Sequence, residues 1–253
     1  MKKNGLAYYL KGEIMYRFFG EERQENHIFL NKEDSHHLMQ VLRHNPGDLV
    51  ETIWNGELFL CRIEGGDPRG LRLQILEEKE IEQDEGTLIL CQGIGKGSKM
   101  DTVVQKAVEL GASRIIPFFS IRSVVRPTDK DDKKTCRLRE IARAAAMQSK
   151  SPRIPEVEDF QDLKQLTGKI SGQILIAYEN QAQESLYEVF QTLDKNKPVY
   201  LFIGPEGGFE EEEVEALLQK GGKSIRLGQR ILRTETAGMV LLTLLQYSFG
   251  GME

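Results

Sequence analysis

An α/β fold preceded by a small β domain is the class this sequence predicts, and three observations carry the prediction. From residue 87 onward, strand-length apolar runs alternate with amphipathic helical stretches, the pattern of βαβ units around a parallel sheet. From residue 15 to about 80 the runs are shorter and separated by turn residues, with one helical stretch among them. Finally, two of the later strands end in glycine-rich loops, at the carboxyl edge where α/β sheets hold ligands.

In the first region, residues 16–19 and 27–30 read as strands. Asn31 is placed to cap a helix carrying Leu38, Val41 and Leu42 on one face. Pro46, Gly47 and Asp48 turn the chain into a strand over 49–54. Asn55-Gly56 then predicts a tight hairpin into 58–63, because both turn positions tolerate positive φ. A loop over 65–70 leads to a strand over 71–76, and the charged stretch 77–86 reads as a linker or the tail of that strand. The sum is a small, mostly β domain, read as a barrel.

In the second region, a strand over 87–92, a helix and a strand over 115–119 form a βαβ unit. Ser98 and Asp101 make a capping box for that helix, whose stripe is Met100, Val103, Val104, Ala107 and Val108, and Gly111 ends it. A second helix over 130–149 turns Leu138, Ile141, Ala142, Ala145 and Ala146 inward, and Pro152 and Pro155 close it. Strands follow over 173–177, 199–203 and 224–227. The glutamates from Glu210 to Glu213 suit the first turn of the helix after residue 208 through the helix dipole alone. The domains are therefore 15–80 and 87–253, after an N-terminal extension, 1–14, read as a tail without order.

Composition narrows the function. With 253 residues, 40% hydrophobic content and a formal net charge of −5, the chain has enough material for a core but is no general coat for nucleic acid. RNA contact requires a local basic patch. Cys61, Cys91 and Cys136 are odd in number and form no CxxC pair, which predicts buried thiols in a reducing cytoplasm rather than disulfides or zinc. No run has the length of a signal core or a membrane span, so the expected location is cytoplasmic, with no membrane partner.

The glycine loop from Gly93 to Lys99 fails the Walker A pattern, since Gly97 follows Lys96, and its third glycine comes one residue early for the dinucleotide fingerprint. It reads either as a tight turn into a capped helix or as a place where Lys96 and Lys99 meet RNA phosphate. All four histidines (27, 36, 37 and 44) lie in the first region as surface residues, which removes His as acid or base of the α/β domain and makes Ser-His-Asp hydrolysis unlikely. Residues 122–153 hold ten Lys or Arg against four Asp or Glu. Arg122, Arg126, Arg143 and Arg153 in that stretch form a phosphate-contacting surface or a solvated helix face. Arg17, Arg43, Arg62, Arg69 and Arg72 offer a second patch.

The carboxyl-terminal third carries the chemistry. The loop after residue 203 holds Gly204, Pro205, Glu206, Gly207 and Gly208, where backbone approaches a ligand unobstructed by Cβ atoms. A second loop, 228–236, crowds Arg230, Arg233, Thr234, Glu235 and Thr236 between an apolar strand and an apolar helix. Capping by Thr234 or Thr236 accounts for part of this, but not for Arg233 and Glu235 together.

The GPEGG loop, the LGQRILRTETA segment and the upstream KGSKMDTVVQKAVELGA and MQSKSPRIPEV segments resemble the RsmE family, SPOUT-class methyltransferases acting on uridine N3 of small-subunit (16S) ribosomal RNA. The resemblance spans nearly the whole chain from Met15. It implies a PUA-like RNA-binding barrel, then a SPOUT α/β domain with a trefoil knot whose loops, 177–180, 204–208 and 227–232, hold S-adenosyl-L-methionine. Mapped by motif, the cofactor residues are Ala177, Tyr178, Glu179, Ile203, Gly204, Pro205, Glu206, Gly207, Gly208, Leu227, Gly228, Ile231, Leu232, Thr234 and Thr236. Arg233 is assigned to the anion that forms on the uracil, and Glu235 to removal of the N3 proton or orientation of Arg233. A homodimer with RNA at its junction is implied as well. One departure is that many relatives carry a Gly-Arg-Asn-Arg run where this chain has Lys150-Ser-Pro-Arg153, with only Arg153 matching well. A non-catalytic ribosome-assembly factor and a ribose 2′-O methyltransferase are the competing readings. The intact cofactor loops oppose the first, and the missing Asn-Arg and Ser-Asn signatures oppose the second.

Overall fold

The structure is a computed structural model and describes residues 17–67, 69–81, 86–95, 99–124, 131–178 and 185–252. The chain divides into two compact units, Met1–Glu82 and Gln83–Glu253.

The first unit is a coiled six-stranded sheet in the order β1-β4-β5-β6-β3-β2. Its strands are β1 (Arg17–Phe19), β2 (Glu22–Gln24), β3 (His27–Phe29), β4 (Leu49–Trp54), β5 (Glu57–Asp67) and β6 (Gly70–Lys79). The two edges of this order, β1 and β2, are joined by Gly20 and Glu21. These two residues donate backbone hydrogen bonds to Ile53 O (2.7 Å) and Phe29 O (2.9 Å), so the sheet curls shut as the expected barrel. At the β4–β5 hairpin, Asn55 (φ 52°) and Gly56 (φ 83°) both adopt the left-handed conformation that the dipeptide predicts. Phe18, Ile28, Leu38, Leu60 and Leu73 fill the interior.

Three expectations fail in this unit. Residues 65–67 are strand rather than loop: β5 runs to Asp67 and β6 begins at Gly70, with a register shift between Ile63 and Gly65 that lets two glycines remain in the ladder. The Asn31 cap forms, with its Oδ1 accepting from Asp34 N at 2.7 Å, but α1 (Lys32–His36) passes at once into a π-helical turn, His37–Val41. That wider turn, closed by Leu42 N to His37 O, carries Val41 round to solvent while Leu38 stays buried. Arg17 also does not lie open on the surface. It donates from Nε and Nη2 to Glu51 Oε2 (3.2 and 3.0 Å), and Lys79 Nζ reaches Glu51 Oε1 at 3.1 Å.

Burial alone would raise the Glu51 carboxyl, but the hydrogen bonds from Lys79 and Arg17 outweigh it and hold the group below its ordinary value. A depressed carboxyl contributes stability above its unfolded pKa and loses it as pH falls through the folded one. Glu51→Gln therefore costs about 2 kcal/mol at neutral pH, a difference that shrinks in acid below the ordinary carboxylate range. Urea titrations read at Trp54, the chain's one tryptophan, measure it in this unit.

The second unit is a parallel sheet in the order β10-β8-β7-β12-β11-β13, with β9 paired to β8. The strands are β7 (Leu88–Gly93), β8 (Arg114–Phe119), β9 (Glu156–Val157), β10 (Gln161–Asp162), β11 (Gln173–Ala177), β12 (Val199–Ile203) and β13 (Lys223–Ile225). The helices are α2 (Lys99–Glu109), α3 (Asp131–Ser149), α4 (Leu163–Lys169), α5 (Leu186–Gln191), α6 (Glu211–Gln219) and α7 (Thr234–Phe249). Buried β7 and β12 lie side by side at the centre, in the register Ile203↔Gln92, and the Phe118, Phe202 and Phe209 rings pack on one sheet face. All five stripe residues of α2 are buried, and so are Leu138, Ala142, Ala145 and Ala146 of α3, while Ile141 is half-buried. Ser98 lies outside the described residues.

Strand β13 ends at Ile225, earlier than the apolar run to Leu227 suggests. Cys136 is exposed on the outer face of α3, so only Cys61 and Cys91 are buried thiols. Burial pushes Cys61 up to about 12 and Cys91 well above the ordinary thiol value, leaving both inert. No helix among the described residues is long and apolar enough to cross a membrane.

Candidate active site

Strands β11, β12 and β13 are parallel neighbours, so their carboxyl ends open on the same edge of the sheet. Leaving β13 at that edge, the chain returns through residues 226–233 to the middle of the sheet, where α7 begins. Between these segments lies a cavity of about 640 Å3 lined by Ala177, Tyr178, Ile203, residues 204–209 and residues 231–235, with Lys99, Arg122, Glu211 and Ala237 completing the wall. The mapped loops thus converge.

Not every mapped residue joins them. Leu227 and Gly228 do not line the cavity: β13 stops short of them, and Arg226 Nε donating to Gly228 O (2.9 Å) turns this segment outside. Thr236 is also absent from the wall, since it is two residues past Thr234 and so lies on nearly the opposite side of α7, about 200° round. Glu179, Lys96 and Arg126 lie outside the described residues. Neither threonine caps α7. Its N-cap is Arg233 with no side-chain cap, and the Thr234 hydroxyl instead donates to Gly204 O at 2.5 Å.

Two glycines of the first loop have a packing role here. A Cβ on Gly93 would stand 2.4 Å from Pro205 N, and one on Gly95 would stand 2.8 Å from Glu206 Oε1. Their bare backbone is what lets the 204–208 loop lie across the end of β7.

Charge in the cavity is mixed and organised. Lys99, in the first turn of α2, places Nζ 3.0 Å from Glu206 Oε1 and 3.6 Å from Glu235 Oε2. Its ammonium is held above its usual value, first by the hydrogen bond to Glu206. Lys99 is therefore held between two carboxylates of the wall. Arg122 reaches across from the loop after β8: its Nε and Nη2 donate to Glu210 Oε1 and Oε2 (2.7 and 2.9 Å), and Nη1 to Gly207 O (3.3 Å). That bidentate pairing holds the Glu210 carboxyl below the usual range and ties the 120–124 loop to the far side of the cavity. Glu235 Oε2 is buried and has no hydrogen-bond partner. Arg233 beside it is exposed. Arg143, half-buried, and Arg153, exposed, do not line the cavity, and Arg43 is exposed on the first unit.

Lys99→Met leaves two facing carboxylates without their shared cation. The expected result is a fall of about tenfold in kcat, with a smaller change in cofactor affinity, measured by steady-state kinetics and calorimetry.

Sequence reasoning missed Gln92, Phe209 and Glu211. The signal for Gln92 was available: it is the one amide in the apolar run 88–92 and is 1% exposed.

A parallel sheet with a glycine-walled cavity at its carboxyl edge, charged on both signs, defines a cofactor-binding domain, and the family model of the RNA methyltransferase domain matches residues 82–246. The model of the RNA methyltransferase PUA domain matches residues 30–76. A curated relative, ribosomal RNA small subunit methyltransferase E of Bacillus subtilis, is 33% identical over 224 residues, covering 85% of this chain and 88% of its own. Among solved structures, the ribosomal RNA small subunit methyltransferase E of Neisseria gonorrhoeae bound to S-adenosyl methionine is similar at 28% identity and a TM-score of 0.81, over 92% of this chain and 97% of that one. A Legionella pneumophila methyltransferase described as putative, in complex with the same cofactor, gives the same four values. This chain belongs to the ribosomal RNA small subunit methyltransferase E family.

Proposed function

We propose that this protein transfers a methyl group from S-adenosyl-L-methionine to N3 of a uridine in 16S ribosomal RNA of the small subunit. The observation that carries the reading is the convergence of the 204–208 and 231–235 segments on one cavity, with Glu235 Oε2 buried inside it, 3.6 Å from Lys99 Nζ and making no hydrogen bond.

The wall fits the cofactor. Glu206, Glu211 and Glu235 face a ligand bearing a sulfonium and an ammonium, while Lys99, Arg122 and Arg233 face one bearing a carboxylate. Glycines 204, 207 and 208 offer backbone groups to a flat base. The cofactor supplies an electrophilic methyl that leaves behind a neutral thioether.

The protein's own task is to position uracil and manage one proton. Glu235 Oε2, paired with the Lys99 ammonium and making no hydrogen bond in the cavity, accepts the N3 proton, which leaves the N3 electron pair free to attack. Arg233, at the head of α7 and open to solvent, stabilises the negative charge spread over N3 and the flanking carbonyl oxygens. Catalysis by side chains is otherwise modest, and much of the rate comes from alignment. Arg43 and Arg153, both exposed, and Arg143 serve as contacts for RNA phosphate.

The return of the chain from edge strand β13 to the sheet centre supports the trefoil threading that the family resemblance implies. A homodimer is the assembly we favour. Helix α7 is apolar nearly all round, and Met239, Val240 and Leu244 are half-buried beside Tyr247, which is 73% exposed. A light-scattering mass of two chains is expected, whereas a fully active monomer would remove the dimer from the account.

The test is transfer of labelled methyl to purified small subunits and, in parallel, to free ribosomal RNA. Transfer with a preference for assembled subunits is expected. Tight cofactor binding with no transfer to either would point to the assembly-factor reading.

A further inference from the structure

Gln92 stands at the carboxyl end of β7, at the centre of the sheet, and is 1% exposed. Its Nε2 donates to Thr234 Oγ1 (2.8 Å) and to Gly93 O (3.1 Å), and Thr234 Oγ1 in turn donates to Gly204 O (2.5 Å). The orientation of the amide follows from these partners. The Thr234 proton is committed to Gly204 O and Gly93 offers a carbonyl, so both neighbours of the amide nitrogen are acceptors. The other end of the amide, Oε1, is buried with no hydrogen-bond partner. It faces Gly238 of α7, where a Cβ would stand 3.4 Å from it.

An orphaned carbonyl oxygen in a sheet core destabilises the fold, and an apolar side chain of the same length would avoid the cost. The amide earns its place only through its nitrogen. That nitrogen joins three segments far apart in the chain: the end of β7, the first residue of α7 and, through the Thr234 hydroxyl, the first residue of the 204–208 loop. Thr234 lies between Arg233 and Glu235, so whatever fixes Thr234 fixes both of its neighbours relative to the cofactor loop.

We infer that Gln92 is a positioning residue for methyl transfer: its carboxamide sets residues 233–235 in place against the 204–208 loop and thereby aligns Arg233 and Glu235 with the bound cofactor. The inference rests on the function proposed above for those two residues, while the tie itself is a property of the fold.

Gln92→Met keeps the length of the side chain and removes both the donor and the orphaned acceptor. Gln92→Glu keeps the shape and reverses the hydrogen bond, since the Thr234 hydroxyl must then donate to the carboxylate and release Gly204 O. Three readouts are taken on the full-length protein: melting temperature, amide hydrogen exchange over residues 204–208 and 232–237, and kcat and KM on small subunits. Gln92→Met is expected to melt no lower than the parent. Its exchange in both segments should be faster by about tenfold or more, and kcat should be lower by about tenfold to a hundredfold with KM for the subunit little changed. Gln92→Glu should show the same pattern with the larger loss of kcat. Exchange and kcat both unchanged in Gln92→Met would overturn the inference, and so would a lower melting temperature with full kcat, the mark of a purely structural amide. If the parent protein itself transfers no methyl group, the proposed function fails, and the exchange data still decide whether Gln92 ties the segments.

Discussion

Glu235→Gln is expected to bind S-adenosyl-L-methionine with nearly unchanged affinity and to lose at least about a hundredfold in kcat. The substitution keeps shape and polarity but removes the basic group, which in the parent is a buried carboxylate oxygen 3.6 Å from Lys99 Nζ. Neutral uridine is a poor nucleophile at N3, so a site that cannot take the proton must wait for the rare anion in solution. Raising the pH should then restore part of the lost rate to the variant, because a larger fraction of uridine arrives already deprotonated. Arg233→Ala should cost a similar factor for the complementary reason, that the charge formed on the uracil meets no cation. Calorimetry for affinity and single-turnover transfer for rate separate these roles. Full turnover in either variant would show that its residue is not part of the chemistry.

Gly93→Ala is the second large effect expected, and it arises from backbone rather than charge. The added methyl would stand 2.4 Å from Pro205 N, 2.6 Å from Pro205 Cδ and 2.8 Å from the carbonyl carbon of Gly204. Main chain and a proline ring cannot rotate aside as a flexible side chain can, so the 204–208 loop must move as a body. Cofactor binding should fall below detection, with a stability loss of about 1–3 kcal/mol. Gly95→Ala is the internal control, because its methyl would meet chiefly the Glu206 carboxylate, the mobile end of a side chain. It should retain cofactor binding within about tenfold. Equilibrium dialysis with labelled cofactor measures both.

These predictions also mark what the sequence made legible. The apolar runs at 199–203 and 173–177 and the stripe of α2 were readable because burial on both faces of a parallel sheet, or on one face of a helix, imposes a pattern within a single segment. The GPEGG and RILRTET motifs located the walls of the cavity for a related reason, since local backbone demands leave local residues. What stayed hidden depends on partners distant in the chain. Lys99 looks like a free cation until Glu206 and Glu235 are brought to it, and Arg17 looks like a phosphate contact until β1 pairs with β4 and places it against Glu51. Nothing in the neighbourhood of Val41 announces a π-helical turn that carries it outward. Motif position places Leu227 and Gly228 with the cofactor loops, but β13 stops at Ile225 and these two residues are not part of the cavity wall.

The central claim, methylation at uridine N3 by this cavity, is tested most directly by the chemical identity of the product. Small subunits from cells lacking the protein are incubated with it and S-adenosyl-L-methionine, and the ribosomal RNA is digested to nucleosides and resolved by mass spectrometry. 3-Methyluridine is the nucleoside expected to gain methyl, and it should be absent when Glu235→Gln replaces the parent. Methyl recovered on a ribose 2′-oxygen or on another base would contradict the claim.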